Sequence, residues 1–443
     1  MYDCIIVGGG LSGLAAAVEL AERGARVALF ERAPKLGGRC YSYRDERTGD
    51  LVDNGQHVLV GAYHNTLRYL ELIGSRHFLK EQSKLFLPLY HPTKGFGSFR
   101  VSSLPRPFDL TAAMLQFSFL SFRDRQKLLR IGMELQRWDE TVKARLSLMT
   151  VDDWLESLEQ SDEAKQCLWY PIAISMMNEQ PARASALLFA GSLRRAFLGK
   201  KSDAAILIPS TGQTELYVSG AVRLLKKYHA ALFINSEVAG IDVTGSAVTG
   251  VFLKNGKKVR SHALISAVPY FALPRLLPRN VRSHRMFAQL AGIRSSPIVS
   301  IHLWFDVPIM EMEYVGVVGK RLQWIFNRRK IFGEDQKRDA YISAVISGAS
   351  AYAELDKAAI IAIAMEDIDK IFPASRNAQL IHAVVIKEKR ATFSPTNDIE
   401  LLRPQPETMI ENFFLAGDWV STGLPATIEG AVFSGFRAAK LAR

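Results

Sequence analysis

The chain has 443 residues, 48% hydrophobic and 23% charged, which excludes a disordered protein and is too much apolar material for one small core, so two domains are expected. Basic residues number 56 against 44 acidic, and the net charge of +12 favours phosphate-bearing partners: a nucleotide cofactor, nucleic acid or an anionic membrane. The three cysteines, Cys4, Cys40 and Cys167, form no CxxC pair, so neither a disulfide framework nor a metal site is expected, and no run approaches the roughly 18 apolar residues of a spanning helix.

The N-terminus, MYDCIIVGGG, carries an acid at position 3 and lacks the basic start of a secretory signal. A cytoplasmic protein with only peripheral membrane contact is expected. CIIVGGG reads as a buried strand running into glycines. SGLAAAVELAERG is an alanine-rich helix stopped by Gly24, and ARVALFER is a second strand. Gly8, Gly10 and Gly13 fall at the strand-to-helix turn as GxGxxG. Gly8 permits the tight turn, Gly10 admits a pyrophosphate to the backbone, and Gly13 brings helix and strand together. Leu11 and Ser12 open the helix, whose N-terminus attracts phosphate. Glu31, followed by Arg32, ends the second strand and is placed to accept hydrogen bonds from a ribose. Strand, glycines, helix, strand and acid in register predict dinucleotide binding.

ERAPKLGGR follows, with Gly37, Gly38 and Arg39 just past the second strand. The segment resembles the FAD-containing flavoprotein superfamily of amine oxidases and carotenoid desaturases. That resemblance implies FAD as cofactor, with Arg39 on its phosphates or flavin. Next comes DNGQH, with Asp53, Asn54, Gly55, Gln56 and His57 in one polar block before an apolar run. Asn-Gly alone is a turn signal, but the block lies close behind a cofactor signature and is expected beside the cofactor.

Between these segments and the middle of the chain lies FSFLSFRDRQKLLRIGMELQRW, residues 117 to 138. If it is a helix, Arg123, Lys127, Arg130 and Arg137 share a face, with Phe117, Phe119, Leu120 and Phe122 just before them. The segment is a candidate membrane-docking surface. The middle, ALFINSEVAGIDVTGSAVTGVFLKNGKKVRSHALISAVP, holds short alternating strands and an Asn255-Gly256 hairpin signal. In the resembled flavoproteins such a meander returns to the cofactor, where the residue matching Val238 meets adenine. SSPIVSIHLWFD and DAYISAVISG read as strands of a second domain.

The C-terminal NFFLAGDWVSTGLPATIEGAVFSGFRAAKLAR reads as a strand ending at Gly417 and Asp418, then a final helix. The resemblance places Asp418 on the ribitol and pyrophosphate, and Ala426, Thr427 and Ile428 at the flavin's pyrimidine edge. A helix N-terminus suits the negative charge of a reduced flavin there. The fold expected is α/β. It combines a discontinuous Rossmann-like FAD-binding domain (1–75, 205–270 and 395–443) with a substrate domain of mixed β-sheet and helices (76–204 and 271–394), of the amine oxidase/phytoene desaturase type. Only one GxGxxG is present, so no NAD(P) domain is expected, and an external electron donor is. No nucleic-acid partner is expected.

Two departures argue against amine oxidation. Ser300 stands where amine oxidases often carry a lysine, and Thr427 where they carry a cage tyrosine. DNGQHVLVGAY together with GLPATIEGAV resembles the squalene-associated FAD-dependent desaturases, understood as hydroxysqualene dehydroxylases. The resemblance implies a hydrophobic triterpenoid substrate and replacement of the hydroxyl of hydroxysqualene by hydrogen, giving squalene for hopanoid or related synthesis. The departing hydroxyl needs a proton or hydrogen-bond donor, and Asp53, His57 and Glu429 are the candidates. The alternatives are oxidative desaturation of a thirty-carbon polyene such as dehydrosqualene, a flavin amine oxidase, and a non-enzymatic isoprenoid-binding protein.

Overall fold

The structure is a computed structural model that describes residues 1–334 and 336–442. Two seven-stranded sheets organise it. In the first, the strands Ala231–Phe233, Val27–Phe30, Tyr2–Val7 and Lys258–Ser266 lie side by side and parallel. Their apolar runs are continuous rather than alternating because the sheet is covered on both faces. The strand Lys258–Ser266 serves two partners. Its start pairs antiparallel with the meander Val238–Thr244/Ala247–Leu253, and its end pairs in parallel with Phe413–Leu415. This sheet is therefore drawn from three separate stretches of chain.

The helices Leu11–Glu22 and Ile428–Leu441 pack together over this sheet. They meet at Gly435, where a Cβ would stand 2.2 Å from the carbonyl oxygen of Ser12, so a side chain there would drive them apart. Both helices thus point their N-termini towards the same edge of the sheet, where the cavity described below opens.

The second sheet runs in the order Leu380–Phe393, Ser295–Phe305, Ala340–Ser347, Trp324–Asn327, Tyr314–Val317, Phe86–His91, Gly95–Arg100. It is antiparallel except between Tyr314–Val317 and Phe86–His91. Side-chain alternation along its long strands divides the labour. Val299, Ile301 and Leu303 pack on Ile360, Ala364 and Ile368 of the helix Lys357–Ile371, while Ile298 and Ser300 face the cavity. A helical layer, from Phe108–Gln116 to Ala186–Phe197, closes the cavity from the other side.

Leu79–Glu81 pair with Ile206–Pro209 in a small three-stranded sheet, and the chain enters the second sheet beyond them at Phe86. One expectation needs correction. The segment 117–138 does contain a helix, Phe122–Gln136, capped by Ser121. Its aromatics, however, are largely core. Phe117, Phe119 and Leu120 are buried, with the Phe117 ring against Phe99 and Phe119, and only Phe122 is exposed. Lys127 and Arg130 are turned to Glu159. Among the described residues no helix is long and apolar enough to cross a membrane.

Candidate active site

A cavity of about 1450 Å³ runs between the two sheets. One end is bounded by the first strand-to-helix turn. There Gly13 is closed in, since a Cβ would sit 2.0 Å from the Gly8 carbonyl oxygen, whereas a Cβ on Gly10 would meet nothing within 4 Å. The turn is therefore tight behind and open in front, a cradle shaped for a group lying on the backbone at the helix N-terminus. Glu31 is locked beside it by the amides of Gly9 and Ala33, both at 2.7 Å. Gly8, Leu11, Ser12, Arg32 and Val238 border the same end. The residues present fit a dinucleotide.

Towards the middle, Gly37, Gly38, Arg39, Gly417, Asp418, Ala426, Thr427 and Ile428 line the walls. Arg39 pairs with Asp418 at 2.9 Å and donates to the carbonyl of Ala391, so the two expected cofactor contacts are held together. Thr427 accepts from the amide of Gly430 and caps the last helix, which leaves it no part in an amine cage. Ser300 lies on the wall above Gly55, with its Oγ 3.0 Å from where a Cβ of Gly55 would be.

The DNGQH block forms the wall next to these, and the structure gives its members different roles. Asp53 is buried and saturated. Its carboxylate accepts from Arg328 Nη2 at 2.6 Å, Ser42 Oγ at 2.7 Å and the amide of Gln213 at 3.0 Å. Gln56 accepts from the same guanidinium and donates to the carbonyl of His57. Asn54 donates to the carbonyl of Arg39, tying the block to the cofactor segment. Glu429, the third expected acid, accepts from the amide and side chain of both Asn65 and Thr66 at 2.7 to 3.1 Å. It clamps the helix His64–Leu72 to the last helix. Protonating either carboxyl would break bonds that hold the wall together, so both are placed as braces.

His57 differs. Its ring lines the cavity, it makes no side-chain hydrogen bond among the described residues, and its Nδ1 is sealed from solvent. Burial pushes its imidazole down to about 4, so it is neutral near pH 7. Two residues that the sequence reading missed hold Asp53 and Gln56 of the DNGQH block. Arg328 is 1% exposed and lies over the Phe332 ring at 4.1 Å. His302 bridges the Asp53 carbonyl oxygen and the Tyr341 hydroxyl at 3.1 and 2.9 Å. A lone histidine within an apolar strand, SIHLWF, and a paired arginine after WIFN were the available signals.

The far end of the cavity is apolar, walled by Ile172, Met176, Leu87, Phe197, Trp324 and Phe326. Residues 11–442 match the model of the family "Flavin containing amine oxidoreductase". The chain belongs to that family. Its cofactor is FAD, and it is an oxidoreductase of the α/β architecture expected from the terminal signatures. Hydroxysqualene dehydroxylases from Sinorhizobium fredii and Rhodopseudomonas palustris are similar to this flavoprotein at 28% and 29% identity. The matches cover 99% and 98% of its chain and 97% of each of theirs. An oxidoreductase of Methanosarcina mazei has the same fold, with a TM-score of 0.76 at 17% identity over 99% of both chains.

Proposed function

We propose that this flavoprotein is a hydroxysqualene dehydroxylase, replacing the hydroxyl of hydroxysqualene by hydrogen to give squalene with loss of water. The observation that carries the reading is the near full-length similarity to two relatives of that name. The site fits it in chemical terms. An apolar chamber continues from the FAD cradle, as a thirty-carbon hydrocarbon requires. Ser300 and Thr427 provide neither the lysine nor the aromatic cage of amine oxidation.

Bound and reduced, FAD supplies a hydride. Gly8, Gly10, Gly13, Glu31, Val238, Arg39 and Asp418 hold the cofactor, with Gly55, Gln56 and the Ala426–Ile428 turn beside it. Asp53 and Glu429 keep the walls in place. His57 is the polar group left free to meet the departing hydroxyl. A neutral imidazole there would donate a hydrogen bond to the departing oxygen, and the proton that leaves with it as water would be the second hydrogen that FADH2 gives up along with its hydride. One dinucleotide cradle and no second GxGxxG leave reduction of FAD to an external donor.

The substrate is too apolar to cross water freely, since about 0.8 kcal/mol accrues per buried CH₂, so the protein takes it from a bilayer, expected to be the inner face of the cytoplasmic membrane. The rim near Leu104, Phe108 and Leu198 is the docking face. All three are exposed, and the exposed Lys84, Lys200 and Lys201 lie around them.

Anaerobic single turnover of the FADH2 enzyme with hydroxysqualene tests the function. Flavin oxidation and squalene formation are expected to keep pace, one for one. Oxidised enzyme that desaturates squalene or dehydrosqualene, while reduced enzyme leaves hydroxysqualene untouched, would replace this reading with its oxidative rival.

A further inference from the structure

Among the described residues, several buried polar atoms around the DNGQH block have no hydrogen-bond partner, including Asn54 Oδ1, Gln213 Oε1, Nδ1 of His57 and the hydroxyl of Tyr217. His57 and Tyr217 are the two of these whose rings are neighbours. The rings stand 6.0 Å apart between centroids, tilted by 52°. Phenol oxygen and imidazole nitrogen both project beyond their ring centres. The side chains as placed do not make a hydrogen bond, but at that centroid separation a hydroxyl–imidazole bond of about 2.8 Å is within reach of the two groups.

An unmade hydrogen bond at a buried group is costly, so two such groups side by side favour pairing. Burial holds the Tyr217 hydroxyl protonated, well above its usual range, and holds the imidazole neutral. A neutral imidazole has one N–H and one lone pair. If Nδ1 carried the proton and gave it to the tyrosine oxygen, the phenol's own proton would stay buried without an acceptor. If Nδ1 is the acceptor, neither buried group is left with an unpaired proton, and the N–H is placed on Nε2.

The backbone supports a fixed role for Tyr217. It lies in a π-helical turn, Glu215–Ser219, of the kind often kept at functional sites. The turn is pinned by the Tyr69 hydroxyl, which donates to the Tyr217 carbonyl at 2.8 Å, and by Ser75 Oγ, which donates to that of Leu216 at 2.6 Å.

We propose that Tyr217 is a positioning residue: its hydroxyl donates to Nδ1 of His57 and fixes the Nε2–H tautomer, so that the imidazole presents a hydrogen-bond donor to the cavity. The catalytic meaning of this rests on the reading of His57 as the group that meets the departing hydroxyl. The tautomer itself does not.

The test is nitrogen-15 NMR of FAD-loaded protein labelled at histidine, with His57→Gln assigning the resonances. Wild type is expected to show a protonated Nε2 and a hydrogen-bonded, unprotonated Nδ1. Tyr217→Phe should shift Nδ1 to the position of a free acceptor and lower the melting temperature. It should also slow turnover by about 10-fold or more, the usual scale for losing an orienting partner, with KM and FAD content unchanged. A proton on Nδ1 in the wild type overturns the proposal even if the variant does not fold. So does a Tyr217→Phe protein whose nitrogen resonances do not move, or one that melts higher, as removal of a truly unpaired buried hydroxyl would produce. Absence of squalene formation in the wild type would overturn the substrate reading, and the spectra would still decide the tautomer.

Discussion

Arg328 meets Asp53 at 2.6 Å across 275 residues of chain, and the two side chains are 1% and 3% exposed. The pair joins the polar block that follows the cofactor signature to the end of a strand in the second sheet. A buried pair of this kind adds little net stability compared with an apolar substitute, but removing one partner strands the other charge. Asp53→Asn is therefore expected to lower unfolding free energy by about 3–5 kcal/mol, read by urea denaturation. Arg328→Met should cost a similar amount. In the double variant the losses should be clearly less than additive, because neither charge is then left alone. Additive losses would mean that the two do not act as a pair.

Gly10 separates cofactor binding from folding. Its backbone is extended, with φ −74° and ψ −178°, which any residue adopts, and a Cβ would meet no protein atom within 4 Å. Gly10→Val should fold with unchanged secondary structure and melting behaviour as apoprotein, yet purify colourless because the side chain occupies the pyrophosphate's place. Gly13→Val should fail differently, by destabilising the turn itself, since its Cβ would collide with the Gly8 carbonyl. A yellow, fully loaded Gly10→Val protein would displace the cofactor from this cradle.

These contrasts show what the sequence made legible. The glycines, Glu31 and the last helix belong to local patterns in which spacing alone dictates geometry, so their positions in the fold could be read directly. The partners of DNGQH could not. Arg328, His302 and Tyr217 arrive through strand pairings and a π-turn that no short window contains. Nor could the fate of Asp53 and Glu429. A carboxyl near a cofactor reads as an acid until its neighbours are seen to saturate it. The aromatics at 117–120 failed for a related reason, because exposure depends on Phe99 arriving from another strand. Clustering of aromatics beside basic residues does not distinguish a membrane face from a core edge.

The same buried histidines predict a pH dependence of stability. Burial pushes His302 down to about 4, with the Arg328 charge adding to the effect, and burial pushes His57 down to about 4 as well. Unfolded, both titrate near about 6.5. Between those values the unfolded chain binds more protons, so the stabilisation is complete above about 6.5 and is lost as pH falls through about 4. The fully buried His302 should contribute on the order of 3 kcal/mol to that decline. Asp50 adds a second, lower window. Burial would raise it, but hydrogen bonds from Arg329, Trp304 and Lys337 outweigh that and hold it at about 2, so its contribution fades only below about pH 4. Denaturation curves from pH 7.5 to 4 should show the first decline, and His302→Gln should flatten it. An unchanged slope in that variant would remove His302 from the account.

The last prediction concerns where lipid enters. Leu104, Phe108 and Leu198 are 49%, 63% and 37% exposed. The loop carrying Leu104 lies against the segment carrying Leu198, because Lys201 donates to the Ser103 carbonyl at 3.0 Å and Arg106 to that of Gly199 at 2.8 Å. Arg195, Phe197 and Ala204 of that segment also line the cavity, so the apolar cluster stands at its rim. Burying a leucine or phenylalanine is worth about 1.5–3 kcal/mol. Changing Leu104 and Phe108 together to serine should therefore weaken pelleting with anionic vesicles by at least about 100-fold. Neutralising Lys84, Lys200 and Lys201 should weaken it chiefly at low salt, where surface charge is least screened. Both variants should turn over detergent-solubilised substrate at the wild-type rate, which separates docking from chemistry. Neutralising Arg123, Lys127, Arg130 and Arg137 should leave pelleting as it was, since Phe117, Phe119 and Leu120 beside them are buried and Phe122 alone is exposed. Rim variants that pellet like wild type, or a wild type that stays in the supernatant with anionic vesicles at low salt, would mean that the substrate reaches the cavity by another route.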